Sequence, residues 1–468
     1  MIYLSAQPDT IYFLWQIQLQ IFNFCKHGIK KSQIHILVGY NTNVGLNVFF
    51  TRFIQENPDL QIFTYTDTRT RKKYESSIRP HIISKHFKRY PWLEKEIIFY
   101  HDSDILFTKQ INWSDLLLDD IWYASDTRNY LNSKYIKHCI GEEGFKTMCN
   151  ILNIDPKLVE KNDNNAGGAQ YIIKNVTLNF WIKVESDCEK LFDHLEHQQS
   201  ITYNNNPCWQ KFQIWCTDMW VIWWNALLLD KKFRIHKLLD FCVTESPVLD
   251  LKRKMILHYT GKCGKNDDSI FDKTLFQTHP PFYINYSTKK FNNCSSFIIN
   301  NIENYRNTLL NKNRKHLENV VFIFIVDNSE DQILKYLKSY YLRYFEVKIF
   351  VGSQRDYFEF IQNISNHTLW FLPNDIVIPI NCILDIYKDD LDDNCCIEYK
   401  GFKLLKIDSI NTKIFSSILD IEYLLINEKL FLPLNTKVSL IVKKNYTNGS
   451  RNIVKKNFVL YKMFHNDN

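Results

Sequence analysis

The chain has 468 residues, of which 45% are hydrophobic, 15% aromatic and 23% charged. A single hydrophobic core stops growing at roughly 250 to 300 residues, so this length predicts two domains. Ordinary charge content and only 12 glycines indicate a folded chain rather than a disordered one. The net charge of +7 is mild and no long block of like charges occurs, so we expect no nucleic-acid partner.

The 12 cysteines are scattered without Cys-x-x-Cys pairs, which predicts buried, reduced thiols. The opening residues MIYLSAQ already have the pattern of a strand and lack the regions of a signal peptide. No apolar run is long enough to predict a membrane span. We therefore expect a cytoplasmic protein, in the cytoplasm of the host cell if the chain is viral.

Short apolar runs separated by helix-length segments recur through the first hundred residues, at 2–5, 34–38, 60–63 and 97–100. The first of these helices is predicted from Pro8 to about Lys26, with Gly28 just past its end. Alternation of this kind predicts a doubly wound α/β sheet, which binds ligands at the carboxyl ends of its strands.

Further strands are predicted at 120–125, 169–174 and 254–258, with Trp-rich helices near 179–195 and 217–229. The Asn-rich stretch 291–318 predicts a linker between a domain at 1–290 and a smaller α/β domain at 319–468. Apolar runs resume there at 320–326, 347–351 and 368–372. The last run leads to Pro373, Asn374 and Asp375, where one carboxylate stands in place of a pair. We expect this second domain to be non-catalytic.

The strongest chemical signal is the segment Ile97 to Asp104, in which a buried strand leads directly into Asp102 and Asp104. Residues i and i+2 of an extended segment point the same way, so both carboxylates can reach one hard cation. A surface turn with two solvated aspartates is the competing interpretation, and the preceding strand weighs against it.

His258 ends another apolar strand and is followed by Gly261, Lys262 and Lys265. An imidazole there could complete a site for a metal such as Mn²⁺, and the lysines could meet phosphate oxygens. A lone histidine is more often structural, so His258 gains weight only beside the aspartate pair. The turn at 164–170 is a third signal, because Gly167 and Gly168 would let a sugar approach the backbone, although an ordinary tight turn has the same pattern.

Together these segments resemble the GT-A glycosyltransferases, whose nucleotide-sugar-binding domain is Rossmann-like. They resemble most the group that includes peptidyl-serine galactosyltransferases and hydroxyproline arabinosyltransferases. The matching pieces are residues 3–9, 15–16, 101–104, 125–127, 167–170, 215–220 and His258. The stretch from His258 to Lys265 is also similar to the His-x-x-Gly segment of glycogenin-like enzymes. The second domain could then be a degenerate GT-A-like module or an unrelated α/β domain.

The resemblance implies metal-dependent transfer of a sugar from a nucleoside-diphosphate donor, with a UDP-sugar favoured, to a hydroxyl of a protein or glycan acceptor. Asp102, Asp104 and His258 would hold Mn²⁺ or Mg²⁺. Residues implied to contact the donor are Tyr3, Ala6, Gln7, Arg79, Lys85, Ser103, Gly167, Gly168, Gly261 and Lys262. Residues implied to act on the transferred sugar or the acceptor are Asp126, Gln170 and Asp218.

Two other functions remain open at this stage. A non-catalytic protein that binds nucleotide-sugars or glycans would not need the aspartate pair, which is present. A nucleotidyltransferase would be expected to have a Gly-rich phosphate loop after its first strand, where this chain has Ser5-Ala6-Gln7-Pro8.

Overall fold

A computed structural model of the chain describes residues 1–202, 212–261, 269–277, 280–283, 286 and 290–311, and a set of strands beyond residue 319. The chain divides into two compact units. Unit 1 comprises Met1–Pro280 and Lys289–Ile302, and unit 2 comprises Pro281–Thr288 and Glu303–Asn468. A helix at Ser295–Asn311 occupies part of the stretch that we interpreted as a linker. The boundaries at 290 and 318 stay a prediction.

The strands of unit 1 follow one another in chain order. They are β1 (Ile2–Pro8), β2 (Ile34–Tyr40), β3 (Gln61–Thr66), β4 (Ile98–Tyr100), β5 (Ile105–Phe107), β6 (Trp122–Asp126), β7 (Gly167–Ile173), β8 (Phe233–Ile235), β9 (Phe241–Cys242) and β10 (Ile256–His258). Seven of them form a sheet in the order β3-β2-β1-β4-β7-β6-β8, and the other three form a sheet in the order β5-β10-β9. The strands from β3 to β4 are parallel, whereas β7 is antiparallel to both of its neighbours.

Helices cover both faces of the seven-stranded sheet. The helices up to residue 311 are α1 (Ile11–Lys26), α2 (Val48–Glu56), α3 (Ile78–Arg89), α4 (Ser114–Leu117), α5 (Arg128–Leu131), α6 (Ser133–Ile151), α7 (Pro156–Lys161), α8 (Leu178–Thr202), α9 (Thr217–Leu228), α10 (Asp250–Arg253) and α11 (Ser295–Asn311), of which α1, α2, α3, α6, α8 and α9 pack on the sheet. Helices α3, α6, α8 and α9 share one apolar core with Leu4 of β1, and α1 and α2 share the other core with Tyr3. Neighbouring strand residues point to opposite faces of a sheet, which explains why β1 contributes side chains to both cores. The predicted α/β class is confirmed.

The boundaries of α1 differ at one end from the sequence prediction. Pro8 belongs to β1, where it lies opposite Gly39 in the parallel ladder, and the helix begins at Ile11 after the extended Thr10. The other end is as predicted: α1 ends at Lys26, and Gly28 has a φ of 86°. Glycine adopts this left-handed conformation without the Cβ clash that other residues incur, so it terminates the helix cheaply.

A chain of buried polar rings joins β2, β3 and α3. Nδ1 of His35 lies 3.0 Å from Nε2 of His86, and Nδ1 of His86 lies 2.7 Å from the hydroxyl oxygen of Tyr65. Burial lowers the pKa of His35 to about 4 and that of His86 to about 3. Both hydrogen bonds can form with neutral imidazole rings, because the Tyr65 hydroxyl donates to His86 and His86 then donates to His35. Both histidines are therefore structural.

Unit 2 contains a sheet of strands in the order β12-β11-β13-β16-β15-β17-β18 and a pair β14-β19. Its strands are β11 (Val320–Ile325), β12 (Glu346–Phe350), β13 (Thr368–Leu372), β14 (Ile376–Val377), β15 (Cys395–Tyr399), β16 (Phe402–Asp408), β17 (Val438–Lys444), β18 (Asn452–Phe458) and β19 (Tyr461–Lys462). The three strands predicted after residue 319 are confirmed as β11, β12 and β13. Pro373, Asn374 and Asp375 lie outside the described residues.

The described residues of unit 1 include seven cysteines and the helices of that unit. The cysteines among them, at positions 25, 139, 149, 188, 216, 242 and 294, are all free thiols, and all but Cys25 are buried. No helix of this described part of the chain has both the length and the apolar character needed to cross a membrane.

Candidate metal centre

The two sheets of unit 1 bring Asp102, Asp104 and His258 together. The chain leaves β4 through residues 101–104 and enters β5, which pairs with β10 so that Ile105 lies opposite His258. The N–H of Tyr259 donates to the carbonyl oxygen of Asp104 at 3.1 Å. Asp104 and His258, 154 positions apart along the chain, thus become neighbours.

The three side chains face one another at distances that suit a single cation. Nε2 of His258 lies 3.2 Å from Oδ1 of Asp104 and 3.6 Å from Oδ2 of Asp102. One ligand atom from each residue lies within 4.8 Å of the others. Ligands about 2.1 Å from an octahedral ion are about 3 Å apart when adjacent, so small movements would close the site. Two carboxylates with one imidazole suit Mn²⁺ or Mg²⁺.

The other oxygen of each carboxylate faces a basic side chain. Nη1 of Arg79, on α3, lies 2.6 Å from Oδ1 of Asp102, and Nζ of Lys273 contacts Oδ2 of Asp104. Burial would raise the pKa of Asp104, but the charges of Lys273 and His258 outweigh it and hold that pKa below its ordinary value. The two cations therefore fix the outer oxygens while the inner oxygens face His258.

Asp218 lies behind Arg79 at the start of α9. Its Oδ2 is 3.4 Å from Nη1 of Arg79, and its Oδ1 accepts a hydrogen bond of 2.8 Å from the Tyr74 hydroxyl. Burial raises the pKa of Asp218, and the Arg79 charge opposes that rise. Arg79 thus links Asp218 to Asp102, although these residues are far apart in sequence.

Two glutamines of α1 hold the turn that carries the aspartates. Nε2 of Gln20 donates to the carbonyl oxygen of Asp102 at 2.8 Å, and the Ser103 hydroxyl donates to Oε1 of Gln16 at 2.8 Å. Burial lowers the pKa of His101 to about 4, so this ring packs in neutral form beneath the turn. Ser103 anchors the turn to α1, and its implied contact with the donor stays a prediction.

Gln170 contacts His258 rather than the space beside it. Its amide lies 3.4 Å from Nδ1 of His258 at one end and 2.7 Å from the Ser125 hydroxyl at the other. All three side chains are buried. Both ends of the Gln170 amide thus have partners inside the protein, and its implied contact with a sugar stays a prediction.

Three other predicted residues lie apart from the metal ligands. Lys85 is further along α3 than Arg79, and its ammonium donates to the carbonyl oxygen of Thr66 at 2.6 Å. Tyr3 is 2% exposed and packs in the core with the rings of α1, because its side chain points to the opposite face of β1 from its neighbours. Asp126 ends β6 at the surface and pairs with Arg128 at 2.7 Å.

The predicted residues at the carboxyl end of β1 are also buried. Ala6 packs in the core beneath α3. Gln7 is 1% exposed, and its Nε2 donates to the carbonyl oxygen of Leu37 at 2.7 Å. Its Oε1 has no partner among the described residues, which leaves one acceptor at this strand end for a further group.

The paired glycines have a packing role. A Cβ on Gly167 would lie 2.8 Å from Cβ of Ala124 and 2.9 Å from the carbonyl oxygen of Ser125, and a Cβ on Gly168 would lie 2.3 Å from Cε of Met219. Their small size therefore lets β7 approach β6 and α9. Gly261 has more room, with Cγ2 of Thr274 at 3.4 Å. Lys262 and Lys265 lie outside the described residues.

Comparison with known proteins gives only distant similarity. No family model matches the chain, and no curated protein matches its sequence. It is similar to the apo structure of the bifunctional glycosyltransferase WbbM, at 11% identity and a TM-score of 0.38 over 65% of this chain. The match spans half of the WbbM chain.

Two further solved structures are similar at the same level. The apo form of glycosyltransferase GlyE of Streptococcus pneumoniae TIGR4 matches at 11% identity and a TM-score of 0.29, over 75% of this chain and 74% of that one. The galactosyltransferase LgtC, in complex with donor and acceptor sugar analogs, matches at 11% identity and a TM-score of 0.30, over 59% of this chain and 93% of that one. Scores of this size do not establish a shared function.

Proposed function

We propose that unit 1 is a metal-dependent GT-A glycosyltransferase that transfers a sugar from a nucleoside-diphosphate donor, with a UDP-sugar favoured, to a protein or glycan hydroxyl. The observation that supports this most is the convergence of Asp102, Asp104 and His258, each beside a strand end, with cations on the outer carboxylate oxygens. Such an arrangement suits a ligand that brings its own negative charge to a bound cation.

The formal charges near the cluster support a diphosphate as that ligand. Among the described residues that contact one another here, three are carboxylates (Asp102, Asp104 and Asp218) and two are cations (Arg79 and Lys273). His258 adds a positive charge while protonated but must be neutral to bind a metal, and with it neutral the sum is −1, which a divalent ion changes to +1. A site of this charge attracts a diphosphate only after the metal has bound, so we expect nucleotide affinity to depend on the metal.

When bound, Mn²⁺ or Mg²⁺ would act as a Lewis acid and stabilise the charge of the departing diphosphate. The protein supplies the rest. Arg79 and Lys273 hold the aspartate side chains in place and lie close enough to the cluster to meet phosphate oxygens. Gln7, at the end of β1, is the residue we propose beside the nucleoside, since its Oε1 has no partner in the part of the chain that the structure describes.

For the sugar, Asp218 is the candidate that the geometry favours. Of the two carboxylates among the predicted catalytic residues, Asp218 lies next to the metal ligand Asp102 through Arg79, whereas Asp126 pairs with Arg128 at the surface. Burial raises the pKa of this carboxyl group, and the positive charge of Arg79 opposes that rise. As a carboxylate, Asp218 can accept a hydrogen bond from a sugar hydroxyl.

A donor screen tests this function. Nucleoside-diphosphate sugars, beginning with UDP-sugars, are incubated with the protein in Mn²⁺ or in EDTA, and release of the nucleoside diphosphate is measured. The matched variants are Asp104→Asn in the cluster and Asp59→Asn at the surface, where Asp59 pairs with Lys31. We expect release that requires Mn²⁺ in the parent and in Asp59→Asn, and loss of release in Asp104→Asn.

Two results would contradict the proposal. Release that is unchanged in EDTA or in Asp104→Asn would show that the cluster is not the catalytic metal site. Metal-dependent nucleotide binding without turnover of any donor, in the presence of glycan and peptide acceptors, would favour the non-catalytic binding protein instead.

A further inference from the structure

The hydrogen-bonded chain from Ser125 through Gln170 to His258 is not used by the proposed reaction. Ser125 and Gln170 are 0% exposed, and His258 is 7% exposed. The Ser125 hydroxyl lies 2.7 Å from one end of the Gln170 amide and 2.8 Å from the carbonyl oxygen of Leu239. The other end of the amide lies 3.4 Å from Nδ1 of His258. This chain therefore ends on the imidazole nitrogen that faces away from the aspartates.

An irregularity in β7 directs Gln170 toward His258. Ala124 lies opposite Tyr171, but the next residue, Ser125, lies opposite Gly168, so Ala169 and Gln170 are extra residues on β7. Ala169 has a φ of 67°, which is uncommon for a residue with a Cβ. Bulges of this kind redirect side chains near functional sites. The bulge therefore coincides with the position at which the Gln170 amide contacts His258.

Hydrogen-bond capacity determines which end of the amide faces His258. The Ser125 hydroxyl has one hydrogen, and the Leu239 carbonyl can only accept, so the hydroxyl donates to Leu239. The structure places Oε1 of Gln170 toward Ser125 and Nε2 toward His258, but a hydroxyl that donates to Leu239 must accept from the amide. The oxygen and nitrogen of an amide are nearly equal in size, so placing the NH₂ group toward Ser125 leaves the packing unchanged. The Gln170 carbonyl oxygen then faces Nδ1 of His258, which must carry a hydrogen.

We propose that Gln170, held by Ser125, is a positioning residue that accepts a hydrogen bond from Nδ1 of His258 and thereby leaves Nε2 to serve as the metal ligand. This inference rests on the proposed metal centre, because the hydrogen bond affects metal affinity only if Nε2 binds the ion together with Asp102 and Asp104. Partners of this kind fix the orientation of a ligating imidazole, and their loss typically weakens metal binding by about 10- to 100-fold. Gln170 then has no contact with the sugar.

The test compares Mn²⁺ affinities, measured from the EPR signal of free Mn²⁺ in titrations of the full chain without nucleotide. Gln170→Met keeps the length of the side chain but neither donates nor accepts a strong hydrogen bond. Gln170→Glu can only accept when ionised, and Ser125→Ala removes the group that holds the amide. Asp104→Asn removes a proposed metal ligand, and melting curves of every metal-free variant report the integrity of the fold.

We expect Gln170→Met to weaken Mn²⁺ binding by about 10- to 100-fold, Ser125→Ala to weaken it by a smaller factor, and Gln170→Glu to keep an affinity at or above that of the parent. Parent-like affinity in Gln170→Met, or equal losses in Met and Glu variants, would overturn the inference while a loss in Asp104→Asn still supported the metal centre. Binding that is unaffected by Asp104→Asn would overturn the metal centre and the inference together.

Discussion

Removing the charge of Lys273 should destabilise the metal-free protein and increase its stabilisation by metal. The side chains of Lys273 and Asp104 are 14% and 6% exposed, so Lys273→Met would leave a buried carboxylate beside Asp102 without its counter-charge. Breaking a buried ion pair by removing one partner typically costs about 3 to 5 kcal/mol. The methionine keeps most of the length of the side chain but removes the ammonium that lies 5.7 Å from the centre of the Tyr12 ring, so part of the loss comes from that contact.

The melting temperature reports this cost directly. At about 2 to 4 °C per kcal/mol for a domain of this size class, a loss of 3 kcal/mol corresponds to a decrease of about 6 to 12 °C in the metal-free protein. Mn²⁺ would replace the missing positive charge, so its addition should raise the melting temperature of Lys273→Met by more than it raises that of the parent.

The control is Lys31→Met, which breaks the ion pair with Asp59 at the surface, where the two side chains are 48% and 59% exposed. A surface pair contributes about 1 kcal/mol or less, so this variant should melt close to the parent and respond to Mn²⁺ as the parent does. If Lys273→Met melted with the parent, or if Mn²⁺ shifted both equally, the Lys273–Asp104 pair would not be the counter-charge of the metal site.

The remaining predictions concern the third ligand, the buried histidines and the close approach of β7 to β6. His258→Ala should raise the Mn²⁺ concentration needed for half-maximal activity, and a destabilised apo-protein with unchanged Mn²⁺ dependence would refute its role as a ligand. The pKa values of His35 and His86 lie below the ordinary 6.5, so the unfolded chain binds more protons as the pH falls. Urea titrations should therefore show the free energy of unfolding decreasing from about pH 6.5 toward pH 4, with His35 alone accounting for about 3 kcal/mol of the decrease. A flat profile would contradict the buried hydrogen bonds of His35, His86 and Tyr65. Gly167→Ala should cost about 1 to 3 kcal/mol because its Cβ would meet backbone, whereas Gly261→Ala should be tolerated, and equal melting temperatures would contradict the packing role.

Much of the first sheet could be predicted from the sequence, because β1 to β4 are short apolar runs separated by helix-length segments. The aspartate pair was also visible, since β4 carries its residues directly into Asp102 and Asp104. The structure further places His258 beside them, as the resemblance implied. The strands and the aspartate pair are local signals that a single segment contains, whereas His258 could be recognised only together with that pair.

Contacts between distant segments could not be predicted in this way. Lys273 is 169 residues from Asp104 and lies in a short 3₁₀ turn at Lys273–Phe276, without a motif that distinguishes it from other lysines. Gln170 belongs to a segment that supports the resemblance, but the direction of its side chain depends on the bulge between β6 and β7, which propensity does not reveal. The close approach of Gly167 to Ala124 likewise depends on strand pairing rather than on a local pattern.

The central claim is that one divalent ion, held by Asp102, Asp104 and His258, binds a nucleoside diphosphate. Anomalous diffraction at the manganese edge, from crystals grown with Mn²⁺ and UDP, tests it most directly. We predict one strong manganese peak within bonding distance of the three side chains, with oxygens of the diphosphate completing its coordination. A peak elsewhere, or ordered UDP bound without manganese at these residues, would contradict the account.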